Sequence, residues 1–156
     1  MRRLETRHLC TYRAALASPQ QDVGAAYFGR RMIAQVTGGE FAGDRLRGTV
    51  LPGGGDWATI DAGGTLRLDA RVTLETDDGA RIYVSYRGVL RPYAVARAHG
   101  AKGGPADDAE ARQLYFRTAP VFETGDARYA WLNDIVAVAS GKALGHSVEY
   151  EVFEVL

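Results

Sequence analysis

Thr65-Leu66-Arg67-Leu68-Asp69-Ala70-Arg71-Val72-Thr73-Leu74-Glu75 alternates without a break. Leu66, Leu68, Ala70, Val72 and Leu74 fall on one face; Thr65, Arg67, Asp69, Arg71, Thr73 and Glu75 fall on the other. Period two marks a strand lying between two unlike environments. Thr76-Asp77-Asp78-Gly79 then makes a turn, and Ala80 to Leu90, with Ile82, Tyr83, Val84 and Tyr86, reads as the return strand. Two registers are open. A two-residue loop, Asp78-Gly79, sets Arg71 opposite Tyr86 and Asp69 opposite Gly88. A three-residue loop with Gly79 left-handed sets Leu74 opposite Ile82, Val72 opposite Val84 and Ala70 opposite Tyr86. It also opposes Glu75 to Arg81 and Asp69 to Arg87. The second is preferred, because it groups apolar residues and pairs unlike charges.

Outward from this hairpin, further strands are expected at Leu4–Ala15, Arg30–Thr37, Asp44–Leu51, Trp57–Asp61, Gln113–Thr118, Ile135–Ala139 and Ser147–Val155. Glycine pairs at 38–39, 63–64 and 103–104 mark turns or bulges. Many short strands with little helix predict an all-β fold, a single antiparallel β-barrel of roughly eight to ten strands. One domain over residues 1–156 is expected. Residues 96–112 are Ala- and Gly-rich, charged and poor in large apolar groups, and read as an excursion from the barrel, either a plain solvent loop or a flap. Asp107 is a candidate cap for a short helix through Arg112, with Glu110 three residues on.

Lys+Arg and Asp+Glu each total 19, so the formal charge is zero. That balance argues against nucleic-acid binding and against dependence on anionic membrane surfaces. Cys10 is the single cysteine, so no intrachain disulfide forms. The opening Met1-Arg2-Arg3-Leu4-Glu5 lacks the apolar segment of a signal peptide, and no long apolar run predicts a membrane span. A cytoplasmic protein is expected.

Leu51-Pro52-Gly53-Gly54-Gly55-Asp56-Trp57 holds the most concentrated chemical signal. The glycines serve the backbone, and they lead directly into an acid and a large aromatic. The run lacks the Lys and Ser/Thr of a phosphate loop. It reads instead as a turn at a barrel rim that aims Asp56 and Trp57 at the opening. Asp56 beside Trp57 would be an acid in an apolar wall, with a raised pKa suited to proton transfer. The competing reading is a turn-closing acid and a core tryptophan. Asp69 and Arg71 share a strand face. They are solvated charges if that face is exterior, and an anion-receiving pair if it is interior. Tyr115 and Arg117 repeat the spacing, and Tyr129, Trp131 and Asn133 do so again provided that stretch is extended. The last three would wall a planar ligand or pack in the core. Glu123 is a second candidate proton carrier, or a surface residue. His8, His99 and His146 fit no metal-ligand spacing, and there is no Gly-x-Ser-x-Gly elbow. No metal and no cofactor are expected.

Several strings together resemble a known bacterial family. They are Gly-Arg-Arg-Met-Ile (29–33), Thr-Gly-Gly (37–39), Gly-Thr-Val-Leu-Pro-Gly-Gly-Gly-Asp-Trp (48–57) and Leu-Asp-Ala-Arg (68–71). Thr-Asp-Asp-Gly-Ala-Arg-Ile-Tyr-Val (76–84), Tyr-Phe-Arg-Thr-Ala-Pro-Val-Phe-Glu-Thr (115–124) and Tyr-Ala-Trp-Leu-Asn (129–133) complete the set. In this order the chain resembles the domain of unknown function 3237 family, also called uncharacterised protein family 0311. The resemblance implies a compact barrel similar in shape to calycins and allene-oxide cyclases, with no settled activity. It draws attention to Asp56, Trp57, Asp69, Arg71, Arg117, Glu123, Tyr129, Trp131 and Asn133 as matching motif positions. It also implies an asparagine where this chain has Tyr86; if position 86 touches the ligand, this chain handles a different one. The loop around 97–110 is where the family is expected to vary.

The expected function is small-molecule binding in the barrel mouth. In one reading an enzyme holds an organic acid or carbonyl compound through Arg71 or Arg117 and moves a proton with Asp56 or Glu123, in isomerase, cyclase or lyase chemistry. In a second, the barrel is a non-catalytic carrier or sensor of a hydrophobic metabolite. In a third it is an interaction protein with a solid core. An exposed aromatic-bearing face favours pairing, so a homodimer is expected; a monomeric mass by light scattering would contradict it.

Overall fold

The computed structural model describes residues 3–101 and 108–156. In chain order the strands are β1 (Thr6–Leu16), β2 (Gln21–Ala26), β3 (Gly29–Ala42), β4 (Gly48–Val50), β5 (Gly55–Ile60), β6 (Leu66–Thr76) and β7 (Arg81–Arg91). Helices α1 (Tyr93–Ala101) and α2 (Asp108–Arg112) come next, then β8 (Tyr115–Glu123), a 3-10 helix (Ala127–Asp134), β9 (Ala137–Ala143) and β10 (Ser147–Val155).

The β6–β7 ladder has the register preferred from the sequence. Leu74 faces Ile82, Val72 faces Val84, Ala70 faces Tyr86, and Asp69 faces Arg87. Gly79 takes φ +88°, the left-handed conformation the three-residue loop requires. The inward side chains Leu68, Ala70, Val72 and Leu74 are buried, whereas Arg67 and Arg71 are exposed. Strand β8 alternates as cleanly, with Phe116, Thr118, Pro120 and Phe122 inside and Tyr115, Arg117, Ala119, Val121 and Glu123 outside.

The sheet runs β1-β10-β9-β8-β7-β6 and closes through β3 back onto β1, all neighbours being antiparallel. Between β6 and β3 the wall is shared end to end by β4 and β5. Beside β3, β2 continues the line that β1 leaves. The result is a closed antiparallel barrel of eight positions, two of them filled by broken strands. Closure pairs β1 on both sides, while among the described strands β2 pairs only β3.

One half of the lumen is solid. Leu9, Phe41, Leu46, Leu74, Ile82 and Leu132 are almost completely buried there. Leu132 comes from the 3-10 helix, which lies across the end marked by the β6–β7 turn: the Tyr129 hydroxyl donates to Asp78 at 2.9 Å. The condition that residues 129–133 be extended therefore fails. Asp126 caps the helix by accepting from the Arg128 N–H, and the tight turns scatter Tyr129, Trp131 and Asn133 instead of aligning them.

Residues 96–101 also depart from the expected loop, completing helix α1, which starts at Tyr93. Its buried residues are Ala96 and His99, and Tyr93, Ala96 and Gly100 border the lumen's open half. Small residues pack such a face closely but give little hydrophobic contrast in sequence. Helix α2 ends at Arg112 as expected; the proposed cap Asp107 and the 103–104 glycine pair lie outside the described residues. Among the described helices, none is long and apolar enough to cross a membrane.

Candidate functional site

The glycine run lies within the barrel wall, which corrects the expected rim turn. Val36 N–H donates to the Gly54 carbonyl at 2.8 Å on one side, and Leu51 N–H donates to the Thr73 carbonyl at 2.9 Å on the other. Four residues, 51–54, span the gap that three residues, 36–38, span on β3, because Gly39 pairs Val50 and Gln35 pairs Gly55. The run is thus a bulge with one extra residue against β3 and two against β6, where only residues 72–73 lie between the pairs. It must be glycine where the chains crowd. A Cβ at Gly54 would stand 2.5 Å from the Arg71 carbonyl oxygen.

After the bulge, strand alternation sends neighbours to opposite sides. Asp56 and Ala58 line the lumen. Trp57 lies outside, 36% exposed, with its ring over Gly55 and 5.5 Å from the Arg71 guanidinium. Asp56 Oδ1 accepts from the Asp69 backbone N–H at 2.9 Å. Burial pushes the Asp56 carboxyl up to about 6; the Asp69 N–H pulls against this, the Asp69 charge adds to it, and Arg31 opposes it from a distance. A carboxyl in that range exchanges protons near neutrality.

Asp56 faces a cavity of about 490 Å³, open between α1, the β9–β10 turn and the segment after β1. That volume suits a small organic ligand. Its inner end is aromatic. The Tyr150 ring packs against Phe116 at 5.2 Å, Tyr86 at 5.6 Å and Tyr12 at 5.7 Å. Ala70 separates Asp56 from Tyr86 in the ladder, and its small side chain leaves room between them. Burial first, and then the charges around them, raises all three phenols well above their ordinary range, so they remain protonated donors at neutral pH. The Tyr12 hydroxyl is buried and makes no well-formed hydrogen bond, its interaction with Tyr86 being electrostatic. Beyond the tyrosines lies a void of about 30 Å³ walled by Val72, Leu74, Val84 and Phe122, and then the solid half of the barrel. The lumen is therefore neither empty nor filled throughout.

The remaining sequence candidates lie elsewhere. Asp69 and Arg71 form an outer-face ion pair at 3.3 Å, beside a groove that Trp57 and Asp69 share with Arg31, Arg67 and Arg87. Tyr115 and Arg117 are also outside, the guanidinium 5.2 Å from the ring centre. Glu123 is exposed at the end of β8. At the closed end, Arg45 stacks on Trp131 at 4.3 Å, and Asn133 Oδ1 accepts from the Thr124 N–H at 2.8 Å. So Asp56 lines the open cavity, Tyr86 lines the small void behind it, and the other nine line neither. Sequence pattern alone did not single out Tyr12 and Tyr150. A signal existed: each has the inward parity of its strand, between polar Thr11 and Arg13 and between Glu149 and Glu151. Among the described residues, no three His, Cys, Asp or Glu side chains gather in a group able to hold a metal.

A family model described as "Protein of unknown function (DUF3237)" matches residues 4–155. The chain belongs to this family. A UPF0311 protein of Rhodopseudomonas palustris is 35% identical over 154 residues, 98% of this chain and 97% of that protein. The crystal structure of that DUF3237 relative matches with TM-score 0.89 over 100% of both chains. A β-barrel-like protein of Acinetobacter baumannii, 34% identical, matches with TM-score 0.85 over 100% of this chain and 98% of that one. More distantly, a protein of Penicillium herquei named a hydroalkoxylation enzyme is 32% identical over 120 residues, 73% of this chain and 63% of that protein.

Proposed function

We propose that the open half of the barrel binds a partly apolar carbonyl compound or organic acid, and that Asp56 moves a proton on it in isomerase, cyclase or lyase-type chemistry. The observation that carries this reading is a carboxyl on the cavity wall with its pKa pushed up to about 6. As a base, Asp56 takes a proton from a carbon beside a carbonyl. The C–H electron pair becomes the new C=C bond, and the carbonyl π pair moves to oxygen. Returning the proton at another atom completes an isomerisation with no net oxidation. The relative named for hydroalkoxylation lends support. That chemistry adds O–H across C=C, so it too delivers one proton to carbon and removes one from oxygen.

The test begins with a thermal-shift screen of carbonyl compounds, since a true ligand stabilises the folded state it binds. A hit is then assayed for turnover. Asp56→Asn is expected to keep binding and lose about 100-fold or more in kcat. Undiminished turnover removes the proton role. Binding by the wild type without any turnover favours the carrier reading. Arg71→Ala, Arg117→Ala and Glu123→Gln change outer-face side chains and are expected to leave lumen affinity unchanged.

A further inference from the structure

We propose that the tyrosines at the inner end of the cavity recognise an uncharged carbonyl or enol oxygen of the ligand, with Tyr150 making the contact and Tyr86 and Tyr12 positioning it from behind. This rests on the reading that the lumen holds a ligand. It narrows the class from organic acids and carbonyl compounds to neutral carbonyl compounds.

Three observations carry it. Tyr150 lines both the open cavity and the small void beyond, so its side chain stands at the boundary where a ligand's inner end stops. Its ring is held by Phe116, Tyr86 and Tyr12, which fixes where its hydroxyl sits. Second, the hydroxyl of Tyr12 is buried and makes no well-formed hydrogen bond, although Tyr86 is near enough to act on it. A buried polar group left unpaired is costly, and such groups gather where a ligand completes the set. Tyr150 already accepts from Tyr86, and Tyr86 is acted on in the same sense by Tyr12, so a ligand oxygen gives the Tyr150 hydroxyl, last in the column, an acceptor. Each donor then has an acceptor, and the column is polarised toward the ligand. Third, the charges are arranged against an anion at this depth. Asp56 shares the wall, while Arg97 of α1 and the exposed His146 of the β9–β10 turn sit at the mouth. Arg71 and Arg117 are exposed on the outer face. A carboxylate at the inner end would meet the Asp56 charge with no cation beside it, whereas a neutral oxygen meets only donors.

The test uses 1-tetralone and tetralin, a ketone and its deoxygenated counterpart of nearly equal shape, titrated into the full chain. The wild type is expected to bind the ketone at least about tenfold more tightly. Tyr150→Phe should bring the ratio close to one without changing tetralin affinity, which reports that the pocket is intact. Tyr86→Phe and Tyr12→Phe should lower the ratio in part. The carbonyl stretching frequency of bound tetralone should fall in the wild type, recover in Tyr150→Phe and recover partly in the other two. Equal affinity for ketone and hydrocarbon, binding of neither, or a frequency unmoved by Tyr150→Phe overturns the proposal. Tetralin-1-carboxylate should bind more weakly than the ketone at pH 8; tighter binding overturns the narrowing to neutral ligands. Asp56→Asn should keep the ketone preference. Full turnover by that variant with the tyrosine effects intact removes only the proton role, and the reverse pattern removes only this inference.

Discussion

Asp56→Asn is expected to stabilise the fold above pH 6 while it removes turnover. The direction of the pKa shift sets the sign. In the unfolded chain the Asp56 carboxyl titrates near 3.8, and in the barrel near 6, chiefly because of burial. Below the lower value both states are protonated and the residue is neutral to stability. Between the two values the unfolded chain has lost its proton and the folded one has kept it, so stability falls as pH rises. Above about 6 both are ionised and the full cost remains. At about 1.4 kcal/mol per tenfold in the proton equilibrium, that cost reaches up to about 3 kcal/mol. Asparagine keeps an oxygen for the Asp69 N–H and carries no charge to desolvate. For a chain of this length the gain corresponds to about 3–9 °C in Tm at pH 8, shrinking toward zero near pH 4. Melting curves of both proteins from pH 4 to 8 check it; parallel curves across that range contradict it. Carboxylates that the fold holds low, such as Asp126 beside Arg128 at about 2, act in the opposite sense, and their stability is lost as pH falls. A wild-type kcat/KM profile with a limb near pH 6 would tie the same carboxyl to the chemistry.

The second large effect concerns Phe116 and Gly141. Phe116 is 1% exposed and its ring lies over Gly141, where an added Cβ would come within 2.6 Å of the ring. Phe116→Ala should cost about 3–5 kcal/mol, the usual range for an emptied aromatic site. Gly141→Ala alone should cost about 1–3 kcal/mol by crowding the ring. In the double variant the new methyl enters space the ring has left. The two costs should therefore fall short of additive by at least about 1 kcal/mol, whereas additivity within about 0.5 kcal/mol would show that the contact carries no energy. Urea denaturation of the four proteins measures this directly. Phe116 also borders the open cavity, so its loss should weaken ligand binding too.

The hairpin was legible because two independent constraints agreed. The apolar face of Leu68 to Leu74 and the charge pairs Asp69–Arg87 and Glu75–Arg81 select one register. The barrel followed from the number of short alternating strands. Asp56 was legible as an acid beside an apolar wall, but the reach of Trp57 was not: adjacent residues on a strand cannot both face the lumen. Trp131 and Tyr129 misled because aromatics at i and i+2 look like a strand face, while the Asp126 cap turns the chain into a 3-10 helix. Helix α1 escaped notice because alanine and glycine give it little amphipathic contrast. Tyr12 and Tyr150 escaped because each is one aromatic among aliphatic inward neighbours. Only the closure of β1 onto β10, where they pair directly, brings them together.

The extra residue in the wall between β4 and β5 has a consequence at the level of the gene. Other neighbours hold β3 and β6 in place, so the length of the glycine run bears only on how β5 pairs between them. Loss of a single glycine codon would make the two spans equal against β3, so β5 keeps its pairs and Asp56 its inward face. Only a change that slips β5 by one residue against β3 and β6 would turn Trp57 inward and Asp56 outward. The glycine run is thus a reserve of length, taking up a one-codon change in the wall before the lumen-facing positions of β5 are affected.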